Sequence, residues 1–229
     1  MASWMIHLRV AQGIYRQLGL KHIDEFIMGN IAPDSGIPTA DGTGYQPDVS
    51  HFRTIDQNGI KDVHEERFEE RFFNEGLRKG YDGGTYAFYF GYLTHLLTDK
   101  LWAGEIVYGA KARFSALFDK DRDAFWRQIK RDWYDMDFMY LKKTPDFEAF
   151  RIYESMEVFP NKYVDFFAED AFEQRRQFIT GFYRDGVSRI KERETYLSME
   201  ELDTFVASAT TRILAQCAVY VAELDSHSV

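Results

Sequence analysis

Cysteine is nearly missing from this chain. Cys217 is the single example among 229 residues, which excludes an internal disulfide and any thiolate metal cluster. A metal would have to be held by His, Asp or Glu. Long apolar runs are missing too, and none approaches the ~18 residues that a membrane span needs. The opening Met1-Ala2-Ser3-Trp4-Met5-Ile6-His7 lacks a charged leader followed by a long apolar stretch, and Arg9 interrupts it early. Residues 4–18 therefore read as an amphipathic helix rather than a secretory signal, and the expectation is a cytoplasmic protein. Positive charge is the minority sign, with 28 Lys and Arg against 37 Asp and Glu and a net charge of −9. A surface of that sign repels phosphate backbones, so no long nucleic acid is expected as a partner. A metal site gripping one phosphate locally stays compatible with it.

Several catalytic signatures are also lacking. No glycine-rich phosphate loop runs into Lys-Ser or Lys-Thr, and no Gly-x-Ser-x-Gly elbow occurs. The helical phosphohydrolases built on an adjacent His-Asp doublet are disfavoured because no His-Asp dipeptide is present.

What the chain does hold is aromatic and helical. Aromatics make up 17% of it, which favours a large packed interior. Apolar positions at Trp4, Ile6, Leu8, Val10, Ala11, Ile14, Tyr15 and Leu18 follow the helical period, with Gly19 as the stop. Gly29 to Phe52 is punctuated by Gly and Pro and reads as a long loop, of a kind that is often functional. Further helices are expected over 61–79, 85–108, 121–141, 146–157, 163–193 and 198–224. Asp121 and Ser198 are the expected N-caps, and Glu201 completes a capping box with Ser198. No segment shows period-two alternation bounded by hairpin turns. The expectation is one all-α domain over residues 1–229, with its chemistry within 1–108 and additional helices over 110–229. Phe147, Phe150, Phe159, Phe166, Phe167, Phe172, Phe178 and Phe182 are expected in its core rather than in a membrane-binding patch.

The segment Ala87 to Trp102 is hydrophobic nearly all round and belongs in the core. It nevertheless contains His95 and Asp99. At i and i+4 both project from one helical face, close enough to reach one ion. Three more groups sit where a site could be assembled: His7 on the first helix, Asp34 in the loop, and His51 at the loop's end. Each has an ordinary explanation, as a hydrogen-bonded core imidazole, a turn former or a structural pair. Five of them within the first hundred residues shift the balance toward a metal. His22 and His64 have charged neighbours and read as surface residues, and His227 lies near the end of the chain.

Taken in order, these pieces resemble the zinc-dependent phospholipase C family of bacteria, whose helical fold is shared with the fungal single-strand nucleases that use three zincs. The matching pieces are His7-Leu8 with Ala11, the loop residue Asp34, Ser50-His51-Phe52, and Ala87-Phe88-Tyr89 leading to His95-Leu96-Leu97-Thr98-Asp99. They span residues 4–108. The likeness is nearer still to a cytoplasmic branch whose members open with Ala-Ser-Trp and contain Gly-Asn-Ile-Ala-Pro-Asp, here Ala2-Ser3-Trp4 and Gly29 to Asp34.

The resemblance implies one metal held by Asp34, His51, His95 and Asp99, with Asp99 bridging to a second metal also held by His7. In the family an N-terminal tryptophan completes that second metal, whereas Trp4 is not terminal here; removal of Met1 would leave the amine of Ala2. The family's third zinc uses a histidine six residues beyond the bridging aspartate. Glu105 stands at that place, and no histidine falls between His95 and His227. Asp132, Asp135 and Asp137 offer either an all-carboxylate replacement, suited to a harder ion, or simply a solvated helix face.

One or two zinc ions are thus implied, with manganese or another divalent metal as alternatives. The function implied is a phosphoesterase, resembling phospholipase C, that turns metal-activated water on a phosphodiester or phosphomonoester. Asp34 would additionally orient the water or take its proton. The substrate expected is a small phosphoester or a phospholipid head group. A nuclease or nucleotidase on the same scaffold, and a non-catalytic helical metal-binding interaction module, are the alternatives.

Overall fold

Residues 1–36, 46–55, 61–186 and 195–224 are described by the structure, a computed structural model. The all-α expectation holds: helices dominate, and the sole sheet among the described residues is a two-stranded ribbon. The first helix, α1 (Trp4–Leu18), starts at an N-cap Ser3 whose hydroxyl accepts from the Ile6 amide. It ends at Gly19, whose φ of 62° is the left-handed conformation that glycine adopts without strain. A helix absent from the expectation follows, α2 (Ile23–Ile31), and a 3₁₀ turn at Ala32–Asp34 continues it. The expected long loop from Gly29 is therefore helical for its first six residues. Its middle, 37–45, lies outside the described residues, and its end is a short helix, α3 (Pro47–Ser50).

The helix expected over 61–79 opens instead as a strand. β1 (Arg53–Ile55) and β2 (Lys61–Val63) pair antiparallel, Arg53 opposite Val63. At three residues each, such strands are too short for alternation to register in the sequence. The remainder is broken into α4 (Glu65–Phe68), a π-helical turn (Glu69–Phe73) and α5 (Glu75–Arg78), because Asn74 leaves the helical conformation and caps the next turn through Leu77.

The central element is α6 (Gly83–Trp102), capped by Asp82, which accepts from the Thr85 amide. Its residues from Tyr86 to Asp99 are all buried. A π-helical turn (Ala103–Val107) prolongs it into α7 (Tyr108–Arg113), followed by α8 (Ser115–Lys120). The later helices are α9 (Arg122–Lys143), α10 (Glu148–Ser155), α11 (Ala171–Gly186), α12 (Met199–Gln216) and α13 (Ala218–Glu223). Asp121 caps α9, and the Ser198–Glu201 capping box is formed. Residues 163–170, expected to be helical, are not. Asn161 holds that stretch in a loop by donating to the carbonyls of Val164 and Phe167. Of the eight phenylalanines expected in the core seven pack in or against it, and Phe178 is 56% exposed.

Two glycines set the spacing that matters for the site. A Cβ on Gly29 of α2 would lie 2.0 Å from the Phe88 carbonyl oxygen of α6, and one on Gly91 would lie 2.1 Å from the Phe26 carbonyl oxygen of α2. Only hydrogen at both positions lets the backbones touch. α1 packs across this pair, and α10 and α12 flank α1.

Candidate metal centre

All five residues singled out in the sequence meet at the place where α1, the end of α2, α3 and α6 converge. His7, His51 and His95 are buried, as is Asp99, and Asp34 is only partly exposed. His51 Nε2 is 3.3 Å from Asp34 Oδ1, 3.2 Å from His95 Nε2 and 3.7 Å from Asp99 Oδ2. His95 Nε2 is also 3.7 Å from Asp99 Oδ2. On the other side of the same carboxylate, Asp99 Oδ1 is 3.3 Å from His7 Nε2 and accepts the Ala2 amide at 2.7 Å. The His7 and His95 rings stack, 3.7 Å apart and nearly parallel.

Backbone carbonyls decide the tautomers. His95 Nδ1 lies 2.7 Å from the Asn30 carbonyl oxygen, and His51 Nδ1 lies 2.9 Å from the Pro47 carbonyl oxygen. A carbonyl can only accept, so each Nδ1 carries the proton and donates. Both Nε2 atoms are then bare lone pairs, turned toward each other and toward two carboxylates. Burial, with the neighbouring His7, lowers the His95 pKa to about 3, so its imidazole is neutral. Burial alone would raise the Asp34 carboxyl. The three imidazoles packed around it, His51 foremost, overcome this and hold it at about 2. Asp99 is held well below the usual range despite its burial, chiefly by the amine at the chain's start and by His7.

Converging acceptors with no donor between them are costly in a dry interior. Both His7 ring nitrogens and Asp99 Oδ2 are buried without a hydrogen-bond partner. Ligands ~2.0–2.2 Å from a shared tetrahedral ion sit ~3.4 Å from one another, and the spacings around His51 Nε2 match this. Two overlapping sets have donor atoms within 4.8 Å of one another: His51, His95 and Asp99, and separately His7, Asp34 and His95. The residues present fit a divalent cation of the hard-to-borderline class.

The surroundings support the donors. Tyr92, one turn before His95, donates to the Ser50 carbonyl and ties α3 to α6. Phe52, directly after His51, is held at φ 48° and packs against Phe68, Phe72, Tyr92 and Phe166. That is the left-handed region, where a bulky residue is strained, and such strain clusters at functional sites.

The positions considered for a further metal are otherwise engaged. Glu105 is paired with Arg212. Asp132 accepts from the Tyr196 and Leu197 amides. Asp137 accepts from the Ser3 hydroxyl and the Tyr183 phenol, each at 2.8 Å, and burial raises its pKa to about 7. Asp132 and Asp137 are buried, so they do not form a solvated face either. His22 and His64 are partly exposed, and His227 lies outside the described residues. The sequence does not single out Asn30 and Pro47, because carbonyl acceptors carry no side-chain signature, nor Tyr92, one aromatic among many in α6. The Gly29-Asn30-Ile31-Ala32-Pro33-Asp34 motif was the one local hint.

A cavity of about 590 Å³ opens over the cluster, lined by Ala2, Asp34 and Pro47 on the cluster side. No family model, curated protein or solved structure matches this chain.

Proposed function

We propose that this chain is a divalent-metal-dependent phosphoesterase that works in the manner of the zinc-dependent phospholipase C enzymes. The observation that carries the reading is the pair of buried imidazoles whose Nδ1 protons are committed to backbone carbonyls and whose bare Nε2 atoms face Asp34 and Asp99. Such an array is built to hold a cation.

A bound ion supplies Lewis acidity toward a phosphoryl oxygen and lowers the pKa of water toward neutrality. The protein's own residues do the rest. Asn30 and Pro47 fix the ring orientations, which keeps ligand geometry constant through turnover. Asp99 presents its two oxygens to opposite sides, Oδ2 to His51 and His95 and Oδ1 to His7, which suits a bridging carboxylate. Asp34 is the one member of the five that also lines the cavity, so it is placed to orient a water and to take its proton. Water adds to phosphorus as Asp34 takes its proton, the ester P–O bond breaks, and the departing alkoxide takes a proton from solvent water while Asp34 returns its own to solvent.

Metal analysis of protein purified without chelator tests the reading. The expected result is at least about one equivalent of transition metal and turnover of bis(4-nitrophenyl) phosphate that zinc or manganese restores after chelation. His95→Ala and Asp99→Asn should each cut metal affinity and turnover by about 100-fold or more. Less than one equivalent, with no activity regained on adding either ion, would overturn it. A stable, metal-free and inactive parent would instead mark the cluster as architectural.

A further inference from the structure

The cavity inverts the sign of the chain that surrounds it. Arg53, Lys61, Lys111 and Lys130 line it, against the single carboxylate Asp34, in a chain whose net charge is −9. The four cations come from three separate places: the β-ribbon (Arg53, Lys61), α7 (Lys111) and α9 (Lys130). This is therefore not the solvated stripe of one helix. Arg53 is paired with Asp48. Among the described residues no ion pair forms at Lys61, Lys111 or Lys130. Lys111 instead sits over the rings of Tyr108, Phe118 and Trp126, 5.3–5.5 Å from their centres. Burial, together with Arg53 and Lys130, lowers the Lys61 pKa, and Asp48 and Asp99 offset this only in part.

A phosphodiester brings one negative charge to the metal cluster. Cations beyond it have nothing to neutralise unless the substrate is charged elsewhere, and a trimethylammonium group would meet repulsion there. The volume lies within the range of small-molecule sites. Trp126, Trp133 and Tyr134 supply apolar wall.

We infer, on the phosphoesterase reading above, that the cavity selects a small phosphoester bearing a second phosphate or an equivalent anionic group, and rejects zwitterionic choline-type head groups. Lys61 and Lys130 are the residues that hold the second anion, with Lys111 beside them over the rings of Tyr108, Phe118 and Trp126.

Calorimetric titration of the full chain, as purified, tests this with four probes: fructose 1,6-bisphosphate, adenosine 3′,5′-bisphosphate, inorganic phosphate and phosphocholine. The two bisphosphates should bind at least about tenfold more tightly than phosphocholine and inorganic phosphate, with an advantage that shrinks at high salt. Lys61→Ala combined with Lys130→Ala should abolish that advantage, while the exposed control Lys143→Ala should leave it unchanged. A difference between the two bisphosphates separates a polyol from a nucleoside source. Bisphosphates binding no tighter than phosphocholine, or a preference that survives the double substitution, would overturn the inference. Turnover of bis(4-nitrophenyl) phosphate on the same sample keeps the two readings apart. Turnover without the preference removes the second-anion inference alone, and the preference without turnover removes the phosphoesterase alone.

Discussion

Asp137 shows how much a single buried carboxyl is asked to do. Its oxygens receive the Ser3 hydroxyl and the Tyr183 phenol, and Tyr183 in turn accepts the Met5 amide at 3.3 Å. These bonds fix the start of α1, whose first turn carries His7 inward. Burial moves the carboxyl up to about 7. Between pH 4 and pH 7 the folded protein thus keeps a proton that the unfolded chain has released, so stability falls as pH rises through that window and levels off above it. The full effect is on the order of 4 kcal/mol. Asp137→Asn should flatten the wild-type decline in urea-unfolding midpoint between pH 5.5 and pH 8; parallel curves for the two proteins would contradict the assignment. In the sequence Asp137 looked like a metal ligand or a solvent-facing residue. Its true partners lie 134 and 46 residues away, a distance that no local pattern encodes.

Among the elements, α6 was readable from its composition, since an all-round apolar helix has no exposed face to betray its register and can only be central. The caps at Ser3, Asp82, Asp121 and Ser198 are local chemistry, and two of these four were read directly as caps from the sequence. Helix α2 was not read: its nine residues contain Gly29, and glycine weakens a helical assignment. That same glycine is explained by packing. With the Phe88 and Phe26 carbonyls only 2.0 and 2.1 Å from the virtual methyls, Gly29→Ala or Gly91→Ala must push α2 off α6. The expected cost is about 3 kcal/mol, read as a drop in thermal or urea midpoint. It should come with weakened metal uptake, because the Asn30 carbonyl on α2 orients His95 on α6. A Gly109→Ala control, where a Cβ would meet nothing within 4 Å, should leave both unchanged. The broken run over 61–79 defeated periodicity for another reason. Its apolar residues Phe68, Phe72 and Phe73 follow a helical spacing, but the π-helical turn at Glu69–Phe73 rotates the face in mid-segment.

For the whole molecule, no described helix is long and apolar enough to cross a membrane, and the order of the chain separates two tasks. The five donors come from residues 7 to 99, while the helices after residue 110 close the walls. Lys130, Trp133 and Tyr134 from α9 complete the cavity, and Tyr183 from α11 steadies α1. Because donors from four segments must be brought together, a cation that binds only the folded chain stabilises all of it. At a free metal concentration 100 times Kd the gain is about 2.7 kcal/mol, which corresponds to roughly 5–10 °C in Tm for a chain of this size. Chelation should lower Tm by that amount, and zinc should restore it in the parent but not in His95→Ala. An unchanged Tm on chelation would speak against a resident ion. His7, His95 and Asp99 were visible in the sequence because polar groups in an apolar helix stand out, whereas Asp34 and His51 gained meaning only as members of an ordered set of five. The cationic cavity was not, because Arg53, Lys61, Lys111 and Lys130 are unremarkable one at a time and meet only after folding.

At Gly29 and Gly91 the contact between α2 and α6 leaves no side-chain cushion between the two backbones. Rotamer changes elsewhere in the interior can be absorbed by neighbouring side chains, but here main chain rests on main chain. The separation of the Asn30 carbonyl from the His95 ring is therefore insulated from sequence drift in the later helices. The two segments behave as one stiff beam, and the walls around them are free to diverge while the ligand geometry stays constant.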